Sequence, residues 1–569
     1  MICGVIQDTI RDFPRVLINT ASGRLCNKSE QATAFELTPA FTELISSMTA
    51  DIDRARIEQE VGNYYRYATF SHKWENNEPL FGKVINIVVY DLEGSPTHDK
   101  LQMFCKIVRE AGFNWAWSDT CCINKGDHFV LQEALVSMFK WYEGSSLTVI
   151  FLRGVHRLSL RGALMRSVWN KRAWTLQEYH ASKVVRFYTE DWTPYLNLDI
   201  PNHKESPEII SEMEEATDIP AQALMALHPG LDDIREKLCL ASRRETSFVE
   251  DEAYSLLGLF STSLPVVYGE GDKALGRLLA QLLASSGDTS ILAWTGRSGS
   301  FNSCLPANIA VFRQLPTSHI PSIVTGTEVA TIPGGVRPSS LIVTSVTRLY
   351  DRLDDLSVPS FAGRRMKLPC IAFKLGRVSA FRDGSERVFR AQTTALGVVE
   401  IRTGEDLSRW SSLYLIHPWI DFLLDRQPVG NTAETISEED FGDESSSLGE
   451  FSMLPGPLNI MPIAPQTRAA RLAVRLGIQI TGRLNISARE AASLRPPSSL
   501  SPMEKQMRVL RFAARLRQPF GALLFTPTRQ HIEEYRRVAS GSLITVQVEE
   551  VTPLILDKLI NGVRMLDVL

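Results

Sequence analysis

The sequence has no stretch approaching 18 uninterrupted apolar residues, so no helix is expected to cross a membrane. Its first residues, MICGVIQDTIRDFPRV, hold two acids and no apolar run of signal-peptide length, and a cytoplasmic chain is expected. The eight cysteines (3, 26, 105, 121, 122, 239, 304, 370) form no C-x-x-C pair and no even ladder of spacings. That argues against a disulfide framework and for reduced thiols. No ligand pair has metal spacing, so no metal is expected. A fixed-period repeat is absent. So is any surplus of positive charge: the net charge of -4 argues against the whole chain binding nucleic acid.

What is present is globular. The chain has 569 residues, 44% hydrophobic and 22% charged, with 10 tryptophans to anchor cores. That length exceeds one hydrophobic core, and two to four domains are expected. From about residue 64 strand and helix patterns alternate. YYRYATFSHKW reads as a strand running into a loop. SPTHDKLQMFCKIVREAGF reads as a helix capped by Ser95, with Pro96 in its first turn and Gly112 as its stop. NWAWSD is a short strand, FVLQEALVSMFKWYEG a helix, LTVIFL a buried strand, 162–181 helical and KVVRFY one more strand. Such alternation predicts a parallel sheet with helices on its faces, and ligands then bind beyond the carboxyl ends of the strands. Two loops fall there: Ser71-His72-Lys73-Trp74 and the run from Asp119 to Lys125.

Residues 200–295 read as mainly helical. From about 340, SLIVTSVTRLY, KLPCIAFKL, RVFRAQTTALGVVEIRT and SSLYLIHPWI read as short strands. Residues 431–450 carry seven acids and no base, the composition of a disordered acidic loop, and 466–517 carry eleven Lys/Arg against two Glu. The basic segment reads as amphipathic helices that partner the acidic loop, with anionic lipid or nucleic acid as the rival partner. The run Gly269-Glu270-Gly271-Asp272-Lys273-Ala274 has the form of a dinucleotide fingerprint but lacks the βαβ unit, and it reads as a tight turn opening a helix.

YATFSHKW, WSDTCCINK with SMFKWY downstream, and WNKRAWTLQE together resemble the HET domain of fungal heterokaryon-incompatibility proteins. The run from EDEAYSLLGLF to TSILAW is similar to the segment that follows this domain in many fungal relatives. The resemblance covers roughly residues 15–295. Two positions depart from it: Glu75 stands where Gly is usual after the first tryptophan, and Val130 where Glu is common.

The resemblance implies a module of nonself recognition or regulated cell death. It also implies a distantly TIR-like fold, a small flavodoxin-like parallel sheet with flanking helices. Some TIR domains hydrolyse NAD with a glutamate in a segment ending Trp-Cys-x-x-Glu, and Trp174-Thr175-Leu176-Gln177-Glu178 has the same spacing. Glu178 is therefore the candidate catalytic carboxylate, with NAD as candidate substrate and no resident cofactor. Ser71, His72, Trp74, Asp119, Asn124, Arg172 and Trp174 make up the candidate ligand set. A carboxylate would stabilise the oxocarbenium-like state of nicotinamide–ribose cleavage. The rival for Glu178 is a surface ion pair with Arg172 or Arg166. A thiol hydrolase using Cys121 or Cys122 with His72, His128 or His180 is a third chemistry, which no spacing favours.

The expected organisation is a HET domain over 1–195, a helical extension over 196–297 and a β-rich region over 298–569. Expected partners are a second copy of the chain and an unidentified protein trigger. The alternative to an enzyme is a signalling module that acts through homotypic contacts alone.

Overall fold

Six strands assemble first. They are β1 (Val16–Asn19), β2 (Leu25–Asn27), β3 (Tyr67–His72), β4 (Trp115–Ser118), β5 (Leu147–Leu152) and β6 (Val185–Thr189), in the order β2-β1-β4-β3-β5-β6. The computed structural model describes residues 1–46, 54–217, 219–313, 340–356, 358–383, 386–393, 396–410, 413–418, 520–528, 534–541, 544–548 and 553–569. The acidic loop expected at 431–450 and the basic helices expected at 466–517 lie outside them.

The sheet is mixed, not wholly parallel. β4, β3, β5 and β6 run parallel, while β1 pairs antiparallel with both β2 and β4. The parallel strands follow from composition. All six residues of YATFSH and all six of LTVIFL are buried, as strands covered on both faces must be. Helix Pro96–Glu110 connects β3 to β4 and starts where expected: Ser95 accepts from the Thr97 N–H, and Pro96 fills the first turn. Helix His128–Gly144 connects β4 to β5, its first turn capped by Asp127. Trp115, Trp117, Tyr65, Tyr67 and Tyr142 are fully buried between these layers. Each such ring contributes roughly 2–3 kcal/mol by leaving water.

The stretch 162–181 is not one helix. Helices Ala163–Arg166, Val168–Lys171 and Trp174–Ala181 are separated by residues in extended conformation, Ser167 and Arg172. The second break has a cause in the extension. Glu245 donates its N–H to the Lys171 carbonyl and accepts from the Ala173 N–H at 3.0 Å, forming a bridge beside Arg172. Residues 200–295 are helical as expected, with helices Pro207–Thr217, Ala221–Ala226, Ile234–Ser242, Asp251–Tyr254 and Lys273–Ser286.

One expectation beyond residue 298 fails. SLIVTSVTRLY is no strand but the start of helix Ser340–Asp354, which buries Leu349 and Leu353 and packs on helix Pro553–Gly562. The rest is β-rich: β7 (Ser360–Ala362), β8 (Arg365–Asp383), β9 (Glu386–Thr393), β10 (Gly397–Arg402), β11 (Leu413–Pro418), β12 (Phe520–Gly521), β13 (Leu523–Pro527), β14 (Glu534–Val538), β15 (Thr545–Val548) and β16 (Val563–Val568). The pairings β8-β16-β14-β13-β11-β8 return to their start, and such closure leaves no free edge in that ring. The Arg537 guanidinium ties this sheet to the extension: it donates to the carbonyls of Leu292 and Trp294 and lies 4.1 Å from the Trp294 ring centroid.

The extension also packs on helix His128–Gly144. A methyl group at Gly258 would stand 2.1 Å from Phe139 Cβ, an atom fixed by its own backbone. Gly258→Ala is therefore expected to lose about 1–3 kcal/mol, read as a lower urea midpoint at unchanged slope. An unchanged midpoint would mean that this contact is loose.

Candidate functional site

The end of β3 sends consecutive side chains to opposite faces of the sheet. Ser71 points toward helix Trp174–Ala181, and His72 toward helix Pro96–Glu110. Ser71 Oγ accepts from the Trp169 indole N–H at 2.7 Å and donates to the Glu178 carboxylate. The indole, hydroxyl and carboxyl thus form one directed chain. A row of hydroxyls supports the same helix from the sheet side. Ser182 Oγ donates to the Glu178 carbonyl at 2.6 Å, lies 2.5 Å from Thr148 Oγ1, and Thr148 in turn lies 2.7 Å from Thr69.

Glu178 is 7% exposed. Burial, with the charge of Asp119 nearby, lifts its carboxyl to about 8, against the Ser71 hydrogen bond and the charges of Arg172 and Arg244. The surface ion pair envisaged from sequence is thus not what is found: both arginines act on a carboxyl inside the protein. The Arg244 guanidinium, whose pKa burial lowers to about 10, donates to the Arg172 carbonyl at 3.3 Å and to Thr175 Oγ1 at 3.0 Å.

On the other face, His72 is buried and stacks on Phe70 with centroids 4.3 Å apart. Its Nε2 lies 3.7 Å from the Glu78 carboxylate, too far for a hydrogen bond, and both ring nitrogens are without a partner among the described residues. Burial and then Lys100 push the imidazole below its ordinary value. Burial works to raise the Glu78 carboxyl, but His72 and the Lys100 ammonium, 2.5 Å away, hold it low. Glu75, the residue in place of the usual glycine, bonds Lys100 at 3.3 Å and Arg153 at 2.9 Å. It therefore links the loops that follow β3 and β5. Asp119, just beyond β4, accepts from the Trp74 indole at 2.7 Å, and the Lys125 ammonium lies 3.2 Å from the Trp74 ring centroid.

The structure thus brings Ser71, His72, Trp74, Asp119, Arg172 and Glu178 to the carboxyl edge of the parallel strands. Two candidates are engaged elsewhere. Asn124 Oδ1 accepts from the Gly126 N–H at 3.1 Å, the ordinary work of a turn residue. The Trp174 side chain faces Asp251 in the extension and favours that residue's charged carboxylate. The thiol chemistry gains no support: Cys121 and Cys122 are buried, and burial with Cys121 alongside drives the Cys122 thiol well up. His128 is exposed at a helix start, and burial lowers His180 to about 3. The glycine run at 269–271 is a turn, as expected. Gly269 and Gly271 have φ of +95° and +63°, and both donate their N–H groups to Glu250 at 2.8 and 2.9 Å. A protein carboxylate already fills the place a phosphate would need.

Four participants were not singled out from sequence. Trp169 stood in the same motif as Trp174, and only the break at Arg172 decides which indole turns inward. Lys125 ended a loop already under suspicion. Lys100 read as one more polar position of an amphipathic helix, and Arg244 carries no sequence signal.

A raised carboxyl has a stability signature. Folded Glu178 keeps a proton that the unfolded chain releases, between the ordinary carboxyl range and about 8. Stability from this group therefore falls as pH climbs through that window and is level above it. Glu178→Gln removes the titration. The variant should gain on the parent between pH 5 and pH 8.5 by on the order of 3 kcal/mol in urea unfolding. A difference independent of pH would show an unperturbed carboxyl.

Residues 67–162 match the family model described as heterokaryon incompatibility protein (HET). Over 226 residues the chain is 30% identical to the vegetative incompatibility protein HET-E-1 of Podospora anserina, covering 37% of this chain. The match spans 16% of that relative's length. No solved structure matches the chain. The family match takes in β3, β4, β5 and the loops of Trp74 and Asp119, and Glu178 lies just past its end. Over these residues the chain is thus similar to the HET family.

Proposed function

We propose that the chain is an effector of fungal nonself recognition and programmed cell death, and that its HET domain hydrolyses NAD with Glu178 as the catalytic carboxylate. The observation that carries this reading is the buried Glu178 carboxyl, aimed by Ser71 at the carboxyl edge of the parallel strands and within the field of Asp119. A relative named for vegetative incompatibility supports the biological half. The parallel strands lie in the order second-first-third-fourth along the chain, which supports a flavodoxin-like, TIR-like relationship and a ligand site at that edge. The module we assign spans 1–195, with a helical extension over 196–297 and a β-rich region over 298–569. It works in the cytoplasm, and self-association after an encounter with a protein trigger switches it on.

The chemistry is cleavage of the bond between nicotinamide and ribose C1′. The bonding pair leaves with nicotinamide, positive charge develops on the ribose, and water completes the hydrolysis. An ionised Glu178 stabilises that charge. The pyridinium cation of bound NAD favours the ionised carboxyl, opposing the burial that raises it. Ser71 fixes the carboxylate's direction, while Asp119 flanks the ribose.

A second reading has its own observation. Glu178 is 7% exposed and already bonded, as a purely structural acid would be. On that reading the domain signals by homotypic contacts and carries no chemistry. Nicotinamide release by the purified full chain separates the two. Glu178→Gln and Glu178→Ala should lower the rate by about 10²-fold or more while the fold survives. Equal rates in parent and variants, or no release by the parent in its self-associated form, would leave the homotypic reading.

A further inference from the structure

The Lys125 ammonium sits in an unusual position. Its nitrogen is fully buried and has no hydrogen-bond partner among the described residues. Instead it lies 3.2 Å from the centroid of Trp74. The Trp74 indole N–H is held by Asp119 at 2.7 Å, so one carboxylate fixes the ring's orientation and faces the cation. The Trp74 and Lys125 side chains are themselves only partly buried, so the arrangement opens at the surface of the loops after β3 and β4. A tryptophan face backed by a carboxylate is a receptor for a cation. An ammonium suits it poorly, because a lysine head prefers three hydrogen bonds and this one has none.

We infer that Trp74 and Asp119 form a binding site for a planar organic cation, and that Lys125 occupies it as a tethered stand-in which must swing out before the cation enters. A flat pyridinium ring covers the indole face and needs no hydrogen bonds, so it fits where the ammonium is underserved. Asp119 is also the acid whose charge reaches Glu178, so one carboxylate acts both on the Trp74 indole and on the Glu178–Ser71 pair. Naming that ring as the nicotinamide of NAD rests on the proposed hydrolysis; the preference for a planar cation does not.

The probe is 1-methylnicotinamide, a pyridinium without ribose or phosphate, with neutral nicotinamide as its control. Binding to the full chain is measured by calorimetry. Lys125→Met should bind the cation at least about tenfold more tightly than the parent, because the open state no longer competes with the tether. Trp74→Leu in that background should abolish binding, and nicotinamide should not bind measurably. Equal or weaker cation binding in Lys125→Met overturns the inference, and so does equal binding of the neutral ring. Lys125→Gln serves if the methionine variant does not fold. The parent offers a further readout: saturating 1-methylnicotinamide should increase acetylation of Lys125 by an amine reagent, whereas protection of Lys125 would overturn the idea. None of these depends on turnover, so loss of the NAD reading would leave them standing, and their failure would leave nicotinamide release to be judged separately.

Discussion

Burying a carboxyl group leaves it two options: to be met by donors or to keep its proton. Glu178 does some of each. The Ser71 hydroxyl is committed to it, and that hydroxyl is oriented because Trp169 supplies the other hydrogen bond. Two arginines favour the charge, yet neither forms an ion pair with Glu178, and burial together with Asp119 outweighs them. The result is a carboxyl near the point of ionisation at neutral pH. A surface acid would always be charged and would respond to nothing nearby. A fully compensated buried acid would be equally inert. Only the intermediate case lets a neighbouring cation decide the protonation state, and that sensitivity separates a site from a strut.

The geometry depends on parts of the chain outside the strands. Helix Trp174–Ala181 is set at its angle because the extension interrupts the helical run at Arg172. Glu245 bridges the break, Arg244 bonds the Arg172 carbonyl and Thr175, and Asp251 faces Trp174. All three come from the stretch between helices Ile234–Ser242 and Asp251–Tyr254, or from the start of the latter. The extension is thus part of what aims Glu178. A displacement of residues 244–251 would reach the carboxyl through backbone hydrogen bonds rather than through solvent.

The central strands and both loops were legible in the sequence because a strand buried on both faces must be continuously apolar, and YATFSH and LTVIFL have no other use. The helix at Pro96 was legible because Ser95 and Pro96 are chemically suited to its first turn. SLIVTSVTRLY was misread for the converse reason. It is rich in β-branched residues, but Leu349 and Leu353 recur one helical turn apart and are buried against helix Pro553–Gly562, so packing overrode propensity. The antiparallel pair β1 and β2, of four and three residues, is too short to carry a pattern of its own. At the site, position after a strand singled out Ser71 and Asp119, and the family resemblance singled out Glu178. Neither could give the assignment of Trp169 and Trp174, since which indole faces Ser71 depends on a break imposed by a residue more than 70 positions downstream.

The charges at the carboxyl edge divide into two groups, and the division bears on which ligands fit. On the His72 face, Glu75 and Glu78 are matched by Lys100 and Arg153 at short range. That group closes on itself and braces the loops after β3 and β5. On the Glu178 face the balance differs: Asp119 adds to the burial that raises the Glu178 carboxyl, and the Lys125 ammonium, within the field of Asp119, lies on Trp74. If Lys125 moved away, the edge would hold two acids and an aromatic face with no cation over the ring. The backbone N–H groups that best resemble a phosphate cradle, at Gly269 and Gly271, are already bonded to Glu250. On the proposed hydrolysis, the positive charge that a nicotinamide ring brings, and that the sugar develops as the ring departs, would meet Asp119 and the Trp74 face here, while Arg172 and Arg244 offset part of the Glu178 charge.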